Sequence, residues 1–200
     1  SPDLPIKQRA KYTSITLEKA YRLEQLINEF FDITRFGLQS AVLENNRIDF
    51  TMMLEQMADE FYPVLREKGL RMELSIEPGL QLIGDSDKLA RVFDNLLRNA
   101  ISYSYPDSPI TLYAWKQEAS IIVVVRNLCD QIPKEKQAMI FEKFFRLDSS
   151  RASATGGAGL GLAIAKEIAE LHGGSISLNS TPEYTDFIVT LPERKNVRLS

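Results

Sequence analysis

Four glycines fall within six residues at Gly156-Gly157-Ala158-Gly159-Leu160-Gly161, directly ahead of an apolar pattern of helical spacing from Leu162 to His172 that Gly173-Gly174 ends. Residues without a Cβ let backbone N–H groups come close to an anion, and the helix start that follows adds its positive end, so phosphate binding is the physical expectation. A flexible loop that only stops and starts structure has the same composition and stays open as the alternative. No strand directly precedes the run, and no Gly-Lys-Ser or Gly-Lys-Thr follows it. Neither a dinucleotide fold nor a P-loop fits.

The rest of the chain sets the frame for that loop. With 200 residues and 44% apolar content it can bury one sizeable core and carry a short appendage, with little room for a second full domain. A net charge of −3, with Lys and Arg scattered, gives no electrostatic reason to expect nucleic acid. The longest purely aliphatic run, Ile121 to Val125, is far short of the ~20 residues that cross a bilayer, and the N-terminus has no apolar signal core. One cysteine, Cys129, can form neither an internal disulfide nor a Cys-rich zinc site, which points to a reducing, cytoplasmic compartment.

Ala20, Leu23, Ile27 and Phe30 step by three or four, flanked by Leu26, Phe31 and Ile33, and predict one long amphipathic helix over 6–36. Its stripe is broad enough to require a partner helix, from this chain or another. After a linker near Leu38 to Asn46 the pattern turns mixed: a helix from Phe50 to Lys68, a strand marked by Met72, Leu74 and Ile76, and a helix from Asp85 to Ala100. Asp85 or Ser86 caps that helix, and Asp87 suits its positive start. Strands follow at Ile110 to Trp115, Ile121 to Arg126, Ser175 to Asn179 and Phe187 to Leu191. The expected body is an α+β sandwich with helices on one face of a mixed sheet.

Two more segments carry chemistry. In Asp94-Asn95-Leu96-Leu97-Arg98-Asn99-Ala100, Asn95 and Asn99 are four apart, so their amide oxygens share a helical face and can converge on a phosphate or a hard cation such as nucleotide-borne magnesium. Surface asparagines at this spacing also arise by chance. Between this helix and the glycines lies Ile140-Phe141-Glu142-Lys143-Phe144-Phe145-Arg146-Leu147-Asp148. Its aromatics read as core anchors that could hinge a lid, with Arg146 or Arg151 reaching phosphates.

In this order the segments resemble the Bergerat-type fold shared by histidine kinases, gyrase-type topoisomerases, Hsp90-type chaperones and MutL-type repair proteins. Asp87 to Ala100 resembles the N box, Ile140 to Asp148 the F box and Gly157 to Leu162 the G2 box. Within that fold, Phe-Arg-Leu-Asp, Gly-Gly-Ala-Gly-Leu-Gly-Leu-Ala-Ile-Ala-Lys and His-Gly-Gly are most similar to sensor histidine kinases of vancomycin resistance, a likeness that runs from residue 6 to residue 192.

The resemblance implies ATP and Mg2+ as cofactors. It gives Asn95 and Asn99 the magnesium and phosphate contacts, and with Arg146 the catalytic roles. Tyr103 would lie near the nucleotide, and Arg146 with the backbone of Gly157, Ala158, Gly159, Leu160, Gly161 and Leu162 would hold phosphates. Ile132, Phe141 and Thr185 complete the ATP set. Asn127 falls where the family's G1 box has its adenine-reading aspartate, both G1 glycines are lost in Asn127-Leu128-Cys129-Asp130-Gln131, and Asp130 is a candidate displaced reader. The lysine common after the N box is absent, and Tyr184 replaces the expected G3 glycine. Hydrolytic relatives carry a glutamate at the place of Asn95; an amide cannot take a proton, so transfer to an external nucleophile is favoured over hydrolysis. Asp94 is about 100° around the helix and a poor substitute.

The single histidine, His172, reads as a helix C-terminal residue rather than the phosphoacceptor. Residues 1–40 resemble the second helix of a dimerisation hairpin, with Ser1 to Pro5 as its turn, and residues 41–200 the ATP-binding catalytic domain. The first helix, the acceptor histidine and any membrane sensor are expected outside the sequence, in a longer homodimer anchored to the bacterial membrane only through those segments, with a response regulator as partner. A degenerate nucleotide-binding or regulator-docking module and a self-contained ATPase are the competing readings.

Overall fold

A computed structural model describes residues 5–37, 43–147 and 159–193. The first element is the expected long helix, α1 (Ile6–Gly37). Tyr12, Ile15, Tyr21, Leu23 and Ile27 lie exposed along it, an apolar stripe left uncovered by the described residues.

Strand β1 (Asn46–Asp49) leads into α2 (Phe50–Glu60) and α3 (Tyr62–Glu67). A single helix was expected over Phe50 to Lys68; it breaks at Phe61. Pro63 is the reason, since a proline lacks the N–H and crowds the preceding turn, but sits well in the first turn of a new helix. The Asp49 carboxylate caps α2, accepting from the Met52 N–H at 3.0 Å. Strands β2 (Arg71–Ile76) and β3 (Gln81–Gly84) follow. β1 and β3 form a separate antiparallel ribbon. Neither was expected, because four residues are too few for alternation to show; β1 begins where the linker was placed, and its residues 38–42 lie outside the described ones.

Helix α4 (Ser86–Tyr103), strands β4 (Pro109–Gln117) and β5 (Ser120–Asn127), helix α5 (Gly161–Leu171) and strands β6 (Ser175–Ser180) and β7 (Thr185–Pro192) complete the body. The main sheet runs β2-β4-β5-β7-β6, parallel between β2 and β4 and antiparallel elsewhere, so it is mixed as expected. Period-two burial of Ile110, Leu112 and Ala114, of Ile121, Val123 and Val125, and of Phe187, Val189 and Leu191 defines its inner face. The apolar stripe of α4 packs there, with Val92, Phe93, Leu96, Leu97 and Ala100 fully enclosed, alongside Ile164 and Ile168 of α5. Each such side chain contributes roughly 1.5–3 kcal/mol on burial, which rigidly fixes α4 and α5 against the sheet.

Candidate nucleotide-binding site

The tight packing of α4 on α5 brings two of the sequence constellations together. Asn95 lies at the margin of the buried stripe of α4 and faces the start of α5: a Cβ at Gly161 would lie 3.0 Å from Asn95 Oδ1. Asn95 Nδ2 is buried with no hydrogen-bond partner among the described residues. Such an orphan costs about 1–3 kcal/mol unless something supplies its partner. Leu160, the residue before α5, gives the helix no side-chain cap, so its first N–H groups have no such partner either. An amide beside an uncapped helix start suits a phosphate with its cation, and the Asn oxygens are hard donors of the kind magnesium takes. Asn99 is half-buried one turn further along the same face of α4.

The aromatic segment joins the same corner. Phe144 N–H donates to Gly159 O at 2.9 Å, and a Cβ on Gly159 would come within 2.8 Å of Phe145 O and 3.3 Å of Arg146 Cγ. Gly159 has φ +75°, so position and backbone both require glycine. Lys143 pairs with Glu167 of α5 at 2.6 Å. Ile140 is buried and Phe141 and Phe145 pack against the core, as anchors should. Phe144 departs from that expectation: it is 65% exposed, with φ +66°. Arg146 is half-buried beside Gly159, Leu160 is buried, and Leu162 packs on the core. Asp148, Arg151, Gly157 and Ala158 lie outside the described residues.

At the far end of α4, Tyr103 is half-buried in the last turn, about 12 Å along the axis from Asn95, the scale of a nucleoside triphosphate. Asn127, at the end of β5, pairs in register with Thr185 of β7 and is 1% exposed, with its Nδ2 unpartnered among the described residues. Around it run hydrogen bonds that the sequence did not announce. Ile132 N–H donates to Ser180 Oγ at 2.9 Å, Ser180 Oγ and Thr185 Oγ1 are 2.7 Å apart, and the Cys129 thiol donates to Thr185 Oγ1 at 3.4 Å. Ser180 is thus a structural part of this end of the site, and a lone serine at a strand end gives no sequence signal. Asp130 is exposed, its carboxylate accepting from the Tyr105 hydroxyl at 2.7 Å, which raises that phenol's pKa.

Two departures from the family pattern have local explanations. Tyr184 stacks on Arg126, ring centroid to Cζ 3.9 Å, while Asp186 grips the same guanidinium with two hydrogen bonds at 2.6 and 2.8 Å. The aromatic ring at the G3 position therefore covers a charge on the outer sheet face. His172 is 4% exposed; its Nε2 accepts from Asp85 N–H at 3.1 Å and its Nδ1 donates to Ile168 O at 2.8 Å. Both ring nitrogens are engaged, so it closes α5 against the start of α4 and is no phosphoacceptor.

Residues 84–195 match the family described as Histidine kinase-, DNA gyrase B-, and HSP90-like ATPase. The chain is 53% identical over 192 residues to the sensor protein VanS of Enterococcus faecium, which covers 96% of this chain and 50% of that protein. It therefore spans half the length of that relative. Full-length ShkA, solved in complex with AMPPNP, shares the fold with a TM-score of 0.81 at 24% identity, covering 95% of this chain and 40% of that one. Histidine kinase ThkA, solved in complex with response regulator protein TrrA, does so with a TM-score of 0.77 at 23% identity, covering 96% and 53%.

Proposed function

From the premise that this chain belongs to the histidine kinase-, DNA gyrase B- and HSP90-like ATPase family, we propose that it is the ATP-binding catalytic domain of a VanS-like sensor histidine kinase in glycopeptide-resistance signalling. Residues 41–200 form the nucleotide-binding unit, and residues 1–40 the second helix of a dimerisation hairpin whose exposed stripe seats a partner helix in a homodimer. The observation that carries the reading is the contact of Asn95, with its orphaned amide, against Gly161 at the uncapped start of α5.

In this reading Asn95 and Asn99 present amide oxygens to the cation, the backbone at Leu160 and Gly161 receives phosphate oxygens, and Arg146 offsets their charge. Tyr103, Ile132, Phe141, Leu162 and Thr185 shape the cleft. Magnesium held by Asn95 and Asn99 would supply positive charge to offset the negative charge of the phosphates. The γ-phosphoryl passes to a histidine nitrogen outside this chain: a P–N bond forms, the bond to the bridging β,γ-oxygen breaks, ADP leaves and the imidazole gives up its proton. Catalysis is then mainly positioning and electrostatics. The amide at position 95 cannot activate water, which supports transfer over hydrolysis. The phosphohistidine would serve a response regulator of the VanR kind, and the whole protein is membrane-anchored through other segments. Among the described residues no helix is long and apolar enough to cross a membrane.

The test is to mix the chain with Mg2+ and γ-labelled ATP and a separate acceptor hairpin carrying the family's histidine. Acid-labile label on the hairpin is expected, and its persistent absence would remove the kinase assignment. The second reading, a regulator-docking module without efficient catalysis, draws on the loss of both G1 glycines at Cys129 and Gln131; it calls for nucleotide binding without any labelling.

A further inference from the structure

Asn127 ends β5 between Ile110 of β4 and Thr185 of β7. An amide this deeply buried normally spends its donors on neighbours. Nδ2 of Asn127 does not, and the hydroxyls nearest in register are taken up with one another in the Ser180 and Thr185 pair. The side chain is held in place by packing, and among the described residues no partner of Nδ2 fixes which way the amide faces. Its χ2 torsion is broad and roughly two-fold, so the two amide orientations interconvert by a half turn with little torsional preference.

We propose that Asn127 reads the purine edge through either face of its amide, so that this site accepts 6-oxo purine nucleoside triphosphates alongside ATP. The inference rests on the nucleotide-site reading above. An adenine presents a donor, the 6-amino group, beside an acceptor, N1. A 6-oxopurine presents the inverse pair, an acceptor at O6 beside a donor at N1–H. An aspartate only accepts, so in either complex one carboxylate oxygen meets a donor while the other faces a lone pair, N1 of adenine or O6 of the 6-oxopurine. With Oδ1 toward the 6-position, Asn127 accepts from the adenine amino group while Nδ2 donates to N1. Turned over, Nδ2 donates to O6 and Oδ1 accepts from N1–H. Both arrangements give the orphaned Nδ2 a partner. Discrimination between bases depends on leaving a buried polar group unpaired in the wrong complex, and here neither complex does so.

Inosine triphosphate is the cleanest probe, because guanine adds a 2-amino group with demands of its own. The 200-residue chain with Mg2+ is titrated by competition against a fluorescent ATP analogue, using ATP, inosine triphosphate and purine riboside triphosphate, which has no 6-substituent. ATP and inosine triphosphate should bind within about tenfold of each other, and the unsubstituted purine more weakly than both. Asn127→Asp should weaken ATP and inosine triphosphate alike, each at least about tenfold, because its carboxylate faces a lone pair in both complexes. Inosine triphosphate binding more than about 100-fold below ATP overturns the inference and leaves the ATP site intact. A folded Asn127→Asp protein that binds either nucleotide as tightly as the parent also overturns it. Should that variant not fold, the unsubstituted purine decides: equal binding of all three means that Asn127 does not read the 6-position. No binding of any purine nucleotide at millimolar concentration removes the nucleotide site itself.

Discussion

The Asp85 carboxylate takes three donors at the start of α4: Lys88 N–H at 3.1 Å, Glu44 N–H at 3.3 Å and the Lys88 ammonium. Burial by itself pushes this carboxyl up, but those hydrogen bonds and the Lys88 charge outweigh it and hold the pKa below the ordinary value. A group depressed on folding contributes stability that is fully present above its unfolded pKa, about 3.9, and lost as pH falls through the folded value. Asp85→Asn keeps the cap and removes the charge at the positive helix end. It should cost about 0.5–1 kcal/mol at pH 7, and the gap to the parent should close as pH falls below about 4 in urea unfolding followed across pH. The cap was readable from the sequence, since an Asp before an apolar helical pattern has few other uses. The bond from Asp85 N–H to His172, 87 positions away, was not, because nothing local couples the two residues.

At the scale of elements, α4 and α5 matter because they meet at a residue without a side chain. Gly161→Ala adds a Cβ 3.0 Å from Asn95 Oδ1 and must displace that amide by a few tenths of an ångström. Helix propensity gains up to ~1 kcal/mol from the same change, so stability should stay within about 1 kcal/mol of the parent. Nucleotide affinity should fall at least about tenfold, and unchanged affinity would show that Asn95 does not face the ligand. Helices with strong apolar periods, α1, α4 and α5, were legible to within one to three residues at each end. The short strands β1 and β3 were not, since their pairing is visible only once Asn46 meets Gly84. Pro63 was in plain sight and still left the break at Phe61 unread, because apolar spacing continues through it.

For the whole molecule, binding to the folded state alone must raise stability. At about 100 times its dissociation constant a ligand adds about 2.7 kcal/mol, which for a chain of this size is roughly 5–10 °C in Tm. Mg-ATP should produce that rise, chelation should shrink it, and Asn99→Ala should abolish it. A rise that survives both chelator and Asn99→Ala would place the ligand elsewhere on the protein.

The sequence by itself determined the fold class, the order of the three motif segments and the residue types at the site, because apolar period, capping and glycine spacing are local physics. Only the tertiary structure decided that Asn95 abuts Gly161, that Asn127 is sealed in with an unmet donor while Asp130 is occupied by Tyr105 at the surface, and that Phe144 projects outward. Those are contacts between elements far apart in the chain. Their geometry follows from how α4 and α5 settle on the sheet, and no run of neighbouring residues encodes it.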